Sequence, residues 1–270
     1  MIGAMIGDIV GSRYEWNNIK TKEFPLLGEG CRFTDDTVMT VALAEAIQNC
    51  RKKQISLYDA SVAAFQQYGN RYPRAGYGGS FKRWLQSSRP HPYHSYGNGS
   101  AMRVSPCIDA AGSLRVALDL ARESALPTHN HMEGIKGAEA VAAAGFLAKS
   151  GKSKDEIRAF VSDCYYNIDF TLDSIRPFYQ FDVSCQGSVP QAIIAFLEST
   201  SFEDTIRNAV SIGGDSDTIA CIAGSIAWQF YGRDGITDEM SRIWAEAKRY
   251  LTTDLLQTVE GFAAFCAKRA

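Results

Sequence analysis

The sequence predicts an all-α fold in a single compact domain spanning residues 1–270, and three observations carry that expectation. Apolar residues recur at helical spacing through most of the chain. Ser-x-x-Asp and Ser-x-x-Glu start signals open some of those runs, and no stretch alternates apolar and polar residues for long enough to insist on a sheet. A chain of 270 residues, 46% hydrophobic and 21% charged, has ample material for one core, and neither a linker nor an internal repeat divides it. The net charge of -2 gives no footing for a stable nucleic-acid partner or a polyanionic tail.

Met1 to Val10 is apolar, but it is too short to span a bilayer, lacks a basic flank and carries Asp8, so it reads as a buried helix with no membrane role. Gly3, Gly7 and Gly11 recur every four residues and bare one face of that helix, which lets another helix approach closely. Glu15 falls just past its end beside Trp16, and positions 17–32 are irregular. Thr34-Asp35-Asp36-Thr37 then opens a run with Val38, Val41, Ala42 and Ala44 at helical spacing, and Ser56-x-x-Asp59 opens another to about Tyr68. Positions 110–124 are rich in Ala and Leu; Ile135, Ala138, Ala142, Gly145 and Phe146 keep a helical period; Ser153-x-x-Glu156 is a capping box. Further helices are expected over 191–197, 202–210, 218–231, 238–251 and 254–267, ten or more in all.

Chemistry concentrates at two of these helix mouths. Gly213-Gly214-Asp215-Ser216-Asp217-Thr218 stands before Ile219, Ile222, Ala223 and Ile226, its glycines allowing a tight turn. Asp, Ser and Thr are good N-caps and acids suit the helix dipole, so capping alone accounts for either cluster. Two such clusters far apart in sequence argue for more. If they converge, their four carboxylates repel one another unless a hard cation bridges them. Donors that are all oxygen suit magnesium or manganese, and this many hold as many as two ions.

From Ala60 to Ile108 the chain has no Asp or Glu, while Arg71, Arg74, Lys82, Arg83, Arg89 and Arg103 supply positive charge. Charge alone makes this a solvated basic face. The same stretch holds Gly76-Tyr77-Gly78-Gly79 and Ser95-Tyr96-Gly97-Asn98-Gly99-Ser100, two loops whose exposed amides suit phosphates and whose tyrosines suit a base or sugar. The four histidines fall in the pairs His91, His94 and His129, His131. Pro92 and the absence of shared-face spacing argue against zinc, and a loop histidine that hydrogen-bonds a ligand fits better. Seven scattered cysteines without a Cys-x-x-Cys point to reduced thiols in a cytoplasm, and with no coiled coil a monomer is expected.

Together these residues resemble the ADP-ribosylglycohydrolase family. The resemblance runs over nearly the whole chain: Gly7-Asp8 through Glu15, Phe33-Thr-Asp-Asp-Thr37, the Tyr77-Gly-Gly loop, Tyr96-Gly-Asn-Gly99 with Ala-Met-Arg103, Thr128-His129, Gly187-Ser-Val-Pro190 and Gly213-Gly-Asp-Ser-Asp-Thr218. It implies a compact all-α fold, a binuclear magnesium or manganese centre in a cleft, and hydrolysis of the bond between ADP-ribose and an acceptor. Carried over by position, Thr34, Asp35, Asp36, Asp215, Asp217 and Thr218 would ligate the two ions. Glu15 resembles the family's glutamate at the scissile bond. Asp35, Asp36 and Asp217 join it as candidate catalytic groups, with either Glu15 or a ligand aspartate moving the proton. Gly76, Tyr77, Gly78, Gly79, Ser95, Tyr96, Asn98, Gly99 and His129 would hold the nucleotide. The chemistry fits without the name: breaking the ribosyl C1″ bond builds oxocarbenium character and needs an oriented water, which two metals about 3.5–4 Å apart can provide. Two other readings stay open, a non-catalytic metal-stabilised ADP-ribose-binding protein and a magnesium-dependent phosphohydrolase. The expected partner is an ADP-ribosylated protein or another ADP-ribose conjugate.

Overall fold

Residues 1–268 are described by the computed structural model, so the last two positions of the expected domain lie outside it. The helices are α1 (Ile2–Gly11), α2 (Asp35–Lys53), α3 (Leu57–Arg71), α4 (Gly79–Leu85), α5 (Gly99–Met102), α6 (Ser105–Ala110), α7 (Leu114–Ala125) and α8 (Met132–Lys149). The series continues through α9 (Lys154–Cys164), α10 (Leu172–Ile175), α11 (Cys185–Leu197), α12 (Phe202–Ser211), α13 (Ser216–Tyr231), α14 (Asp238–Ala247) and α15 (Thr253–Ala267), with a 3-10 turn at Lys248–Tyr250. Among the described residues the only β pairing is an isolated bridge between Gly97 and Ser184. No helix among them is long and apolar enough to cross a membrane.

The centre of the molecule is α13, which is buried without interruption from Ser216 to Ala227 because, beyond Asp217 and Thr218 at its mouth, its sequence is apolar or small on every side. It packs against α1, α8, α11 and α12. Contact with α1 is the closest and follows from the glycine face. A Cβ at Gly3 would lie 2.1 Å from the Gly224 carbonyl oxygen, one at Gly7 2.0 Å from that of Ala220, and one at Gly11 2.4 Å from that of Ser216. Rising numbers on α1 meet falling numbers on α13, so the two run antiparallel. The end of α1, with Glu15 beyond it, therefore meets the start of α13.

Three expected boundaries shift for local reasons. Helix α11 begins at Cys185, ahead of the expected 191, because the Ser184 hydroxyl accepts from Gly187 N at 3.1 Å, and Pro190 sits inside the helix without a backbone donor. The run over 110–124 breaks between α6 and α7, where Ser113 caps α7 by accepting from Val116 N at 3.3 Å. The helix expected over 238–251 stops at Ala247 and tightens into the 3-10 turn.

Candidate functional site

Helix α1 positions both acidic mouths. Asp8, fully buried in its middle, accepts from Thr34 N at 2.9 Å, Thr37 N at 3.1 Å and the Thr34 hydroxyl at 2.7 Å. A carboxylate from one helix thus satisfies first-turn amides of another, supplementing the Thr34 cap, which accepts from Asp36 N at 3.3 Å. On the glycine side, α13 is brought up with Asp215 at its mouth. Gly213 and Gly214 take φ of +69° and +75°, the left-handed turn that glycine enters without strain. Asn18 clamps that turn, its Oδ1 accepting from Gly214 N at 2.7 Å and its Nδ2 donating to Gly214 O at 2.9 Å.

The two mouths meet. The Thr218 hydroxyl reaches Asp36 Oδ2 at 3.4 Å, across 182 positions of sequence. Carboxylate oxygens of Asp8, Asp36 and Asp217 lie within 4.8 Å of one another, as do those of Glu15, Asp215 and Asp217. Capping accounts for Thr34 but not for Asp215, whose side chain caps nothing and instead accepts from Asn98 Nδ2 at 2.7 Å. Burial raises every acid here. Desolvation, then the charge of Asp8, pushes Asp35 up to about 8. Burial first and neighbouring carboxylates next hold Asp36 and Asp217 well above the usual range. Glu15 is raised by burial and by Asp215, against the pull of Arg32, whose guanidinium is 3.8 Å away.

A hard cation fits this donor set. Asp36 Oδ1 is buried and has no hydrogen-bond partner among the described residues, which is costly unless an ion or water takes the lone pair. Asp8 has its oxygens engaged by Thr34 and Thr37, so it supports the cluster from behind. The groups of three ligand-type residues found together among those described are made of carboxylates alone.

Five of these acids, Glu15, Asp35, Asp36, Asp215 and Asp217, line a cleft of about 640 Å³. Of the residues expected to act, Glu15, Asp35, Asp36, Asp215, Asp217, Thr218, Gly76, Gly78, Gly79, Ser95, Tyr96, Asn98, Gly99 and His129 line it. Gly76 must be glycine: its φ is +116° and a Cβ there would lie 2.9 Å from Asp35 Oδ1. Thr34 and Tyr77 do not line the cleft. Thr34 faces Asp8 and Asp36 from behind, and Tyr77, 3% exposed, packs beside Phe81 with its ring 5.5 Å away. Asn98 divides its role, because its amide is committed to Asp215 and, at 2.9 Å, to the Ser188 hydroxyl. Of the two neighbouring histidines, His129 faces the cleft, whereas His131 caps α8 by accepting from Glu133 N at 3.0 Å. The acid-free stretch is mostly the solvated basic face: Arg71, Arg74, Lys82, Arg83 and Arg89 are exposed, and only Arg103 among the six lines the cleft.

Four further residues of the site were not read as such from the sequence. Asp8 had a signal, a lone carboxylate inside an apolar helix. Asn18 had none, since it acts through a loop turn. Trp16, 73% exposed, stacks on Phe181, 44% exposed, at a centroid distance of 5.4 Å, and the pair sits at the cleft mouth beside Glu15.

A helical body gathers two aspartate motifs into one cleft walled by glycine-rich loops. The chain belongs to the ADP-ribosylglycohydrolase family, whose sequence profile matches residues 1–268. It is similar to ADP-ribosylhydrolase ARH3 of Homo sapiens, 28% identical over 334 aligned positions that cover 95% of this chain and 90% of that protein. It is also similar to ADP-ribosylarginine hydrolase Tri1 of Pseudomonas putida (strain GB-1), 24% identical and covering 91% of this chain and 72% of that one. A solved ADP-ribosylglycohydrolase-related protein complex shares the fold with a TM-score of 0.67, 23% identity and 97% coverage of both chains.

Proposed function

We propose that this chain hydrolyses the ribosyl C1″ bond that joins ADP-ribose to an acceptor, as a magnesium- or manganese-dependent enzyme of the cytoplasm acting as a monomer on ADP-ribosylated protein or another ADP-ribose conjugate. One observation carries the reading: Asp35 and Asp36 share one cleft with Asp215, Asp217 and Glu15, and the same cleft is lined by Gly76, Gly78, Gly79, the Ser95–Gly99 loop and His129. Family membership and the ADP-ribosylhydrolases among its relatives support the reaction class.

Thr34, Asp35, Asp36, Asp215, Asp217 and Thr218 would hold two divalent ions. When bound, such ions supply the positive charge that orients ribose hydroxyls and the attacking water. The chain's own groups do the rest. The glycine loops seat the diphosphate and ribose on backbone amides, and the neutral His129 ring borders that seat. Glu15, made more basic by its setting, takes the proton of the water as its oxygen bonds to C1″. The bond from C1″ to the acceptor breaks with its electron pair on the acceptor atom, and Glu15 returns the proton there.

Incubation with arginine-, serine- and nucleic-acid-linked ADP-ribose, with and without magnesium, tests the proposal by mass spectrometry. Free ADP-ribose as product is expected. AMP would indicate a phosphohydrolase, and tight binding without turnover a binding protein. Asp35→Ala with Asp36→Ala should abolish both metal binding and release, and full retained activity would overturn the assignment.

A further inference from the structure

Arg103 is the one cation of the acid-free stretch that the fold takes inside. It is 1% exposed, its guanidinium lies 4.4 Å over the Phe65 ring, and no carboxylate pairs with it among the described residues. Burying a guanidinium without a counter-ion is expensive, so a structural filler is a poor explanation for it. Its Nη2 donates to Ser124 O at 3.0 Å and to the Thr128 hydroxyl at 2.9 Å, and that hydroxyl is 2.7 Å from His129 Nδ1.

Donor and acceptor counting then fixes the histidine. A guanidinium only donates, so Thr128 Oγ1 accepts from it. The hydroxyl hydrogen must still find an acceptor, and Thr128 is fully buried with His129 Nδ1 as the only other group it meets among the described residues. If Nδ1 carried the proton instead, two donors would point at the hydroxyl and its own hydrogen would be left buried without a partner. Thr128 therefore donates to Nδ1, and the ring proton sits on Nε2. Burial, with the Arg103 charge adding to it, keeps the ring neutral. Nε2 has no hydrogen-bond partner among the described residues and looks across the glycine loop: a Cβ at Gly99 would be 3.2 Å from it and one at Gly97 3.7 Å.

We propose that Arg103 is a positioning residue that acts through Thr128 to hold His129 as the Nε2–H tautomer, so that the cleft presents a fixed donor over Gly97 and Gly99 to an oxygen acceptor of the bound ligand. The identity of that ligand as an ADP-ribosyl group rests on the function proposed above; the tautomer does not. The relay makes the cleft selective for an acceptor atom at this point, a phosphate or sugar oxygen with a free lone pair.

Long-range ¹H–¹⁵N correlation spectra of the full chain, ¹⁵N-labelled at histidine, read the tautomer directly, with His129→Gln identifying the signals. The wild type should show a bare Nδ1 and a protonated Nε2. Thr128→Val, which keeps the shape and loses the hydroxyl, should shift His129 to a mixture or to Nδ1–H, as should Arg103→Met, while Thr128→Ser restores the wild-type pattern. If Arg103→Met does not fold, the Thr128 pair decides. Calorimetry with ADP-ribose and magnesium should give a Kd about three- to tenfold weaker for Thr128→Val and unchanged for Thr128→Ser. A proton on Nδ1 in the wild type, or a tautomer indifferent to Thr128→Val or to a folded Arg103→Met, would overturn the relay. The spectra need no ligand, so they decide on Arg103 even if ADP-ribose binds no variant and the proposed function falls.

Discussion

Gly7→Ala tests whether the contact between α1 and α13 sets the site. The added Cβ would lie 2.0 Å from the Ala220 carbonyl oxygen, against an ordinary C···O contact of about 3.3 Å or more, so the helices must part by roughly 1.3 Å. Backbone meets backbone here, so no rotamer change relieves it. Overpacking of this kind costs about 3 kcal/mol or more, against a gain of about 1 kcal/mol for replacing a helical glycine by alanine, leaving a net loss of about 2 kcal/mol. Gly261→Ala in α15 is the control, because nothing lies within 4 Å of its added Cβ and only the gain applies. Urea unfolding followed by helical circular dichroism should move the midpoint down for Gly7→Ala and up for Gly261→Ala at unchanged slope. Because α1 also carries Asp8 and leads to Glu15, Gly7→Ala should weaken magnesium binding about tenfold or more, and Gly261→Ala should not. A stabilising Gly7→Ala would refute the close packing and the positioning argued from it.

Three more outcomes follow from the site. In the metal-free protein, Asp35 is raised from 3.8 to about 8, with Asp36 and Asp217 also raised. The folded state then keeps protons that the unfolded chain releases above about pH 4, so thermal stability in EDTA should fall as pH rises from 5 to 8, and magnesium should restore it at pH 8. A melting temperature that rises across that range in EDTA contradicts the carboxylate cluster. Asn98→Ala removes the donor 2.7 Å from Asp215 Oδ2 and should weaken magnesium binding by about tenfold to a hundredfold in titration calorimetry, whereas an unchanged Kd would make Asn98 a substrate contact alone. Trp16→Ala removes an exposed ring from the mouth. It should change relative rates among acceptors while inhibition by free ADP-ribose stays constant, and equal weakening of both would move Trp16 to the nucleotide side.

The legible parts of this chain are those whose cause is local. Start signals at Ser56 and Ser153 and the apolar periods around Val38 and Ile135 gave helices because capping and amphipathicity act within a turn or two. The glycine spacing in α1 foretold a close neighbour but not which one. That requires knowing that α13 is small or apolar on the facing side, a property of two segments at once. The pairing of the two aspartate motifs was an inference from their recurrence at two helix mouths and from the family resemblance, and like charge entered only as the reason a cation would be needed if they met. Asn98 and Tyr77 show the limit. Both sit in glycine-rich loops, and nothing in a loop's composition says that one side chain will turn to Asp215 and the other into the core.

One helix registers the whole centre. Positions 7 and 11 of α1 share a face while position 8 lies about 100° round from the first, so the same helix offers bare backbone to α13 and a carboxylate to α2. Asp8 and Gly11 are separated by about 4.5 Å of helix rise, less than one turn. Two motifs whose Thr218 and Asp36 are 182 residues apart are thereby brought to a common level through α1. Holding them there works against the mutual repulsion of their carboxylates, and a loop would yield to that force by opening. Helix packing at backbone contact does not yield so easily, and the two aspartate motifs stand on the mouths of helices held in that way.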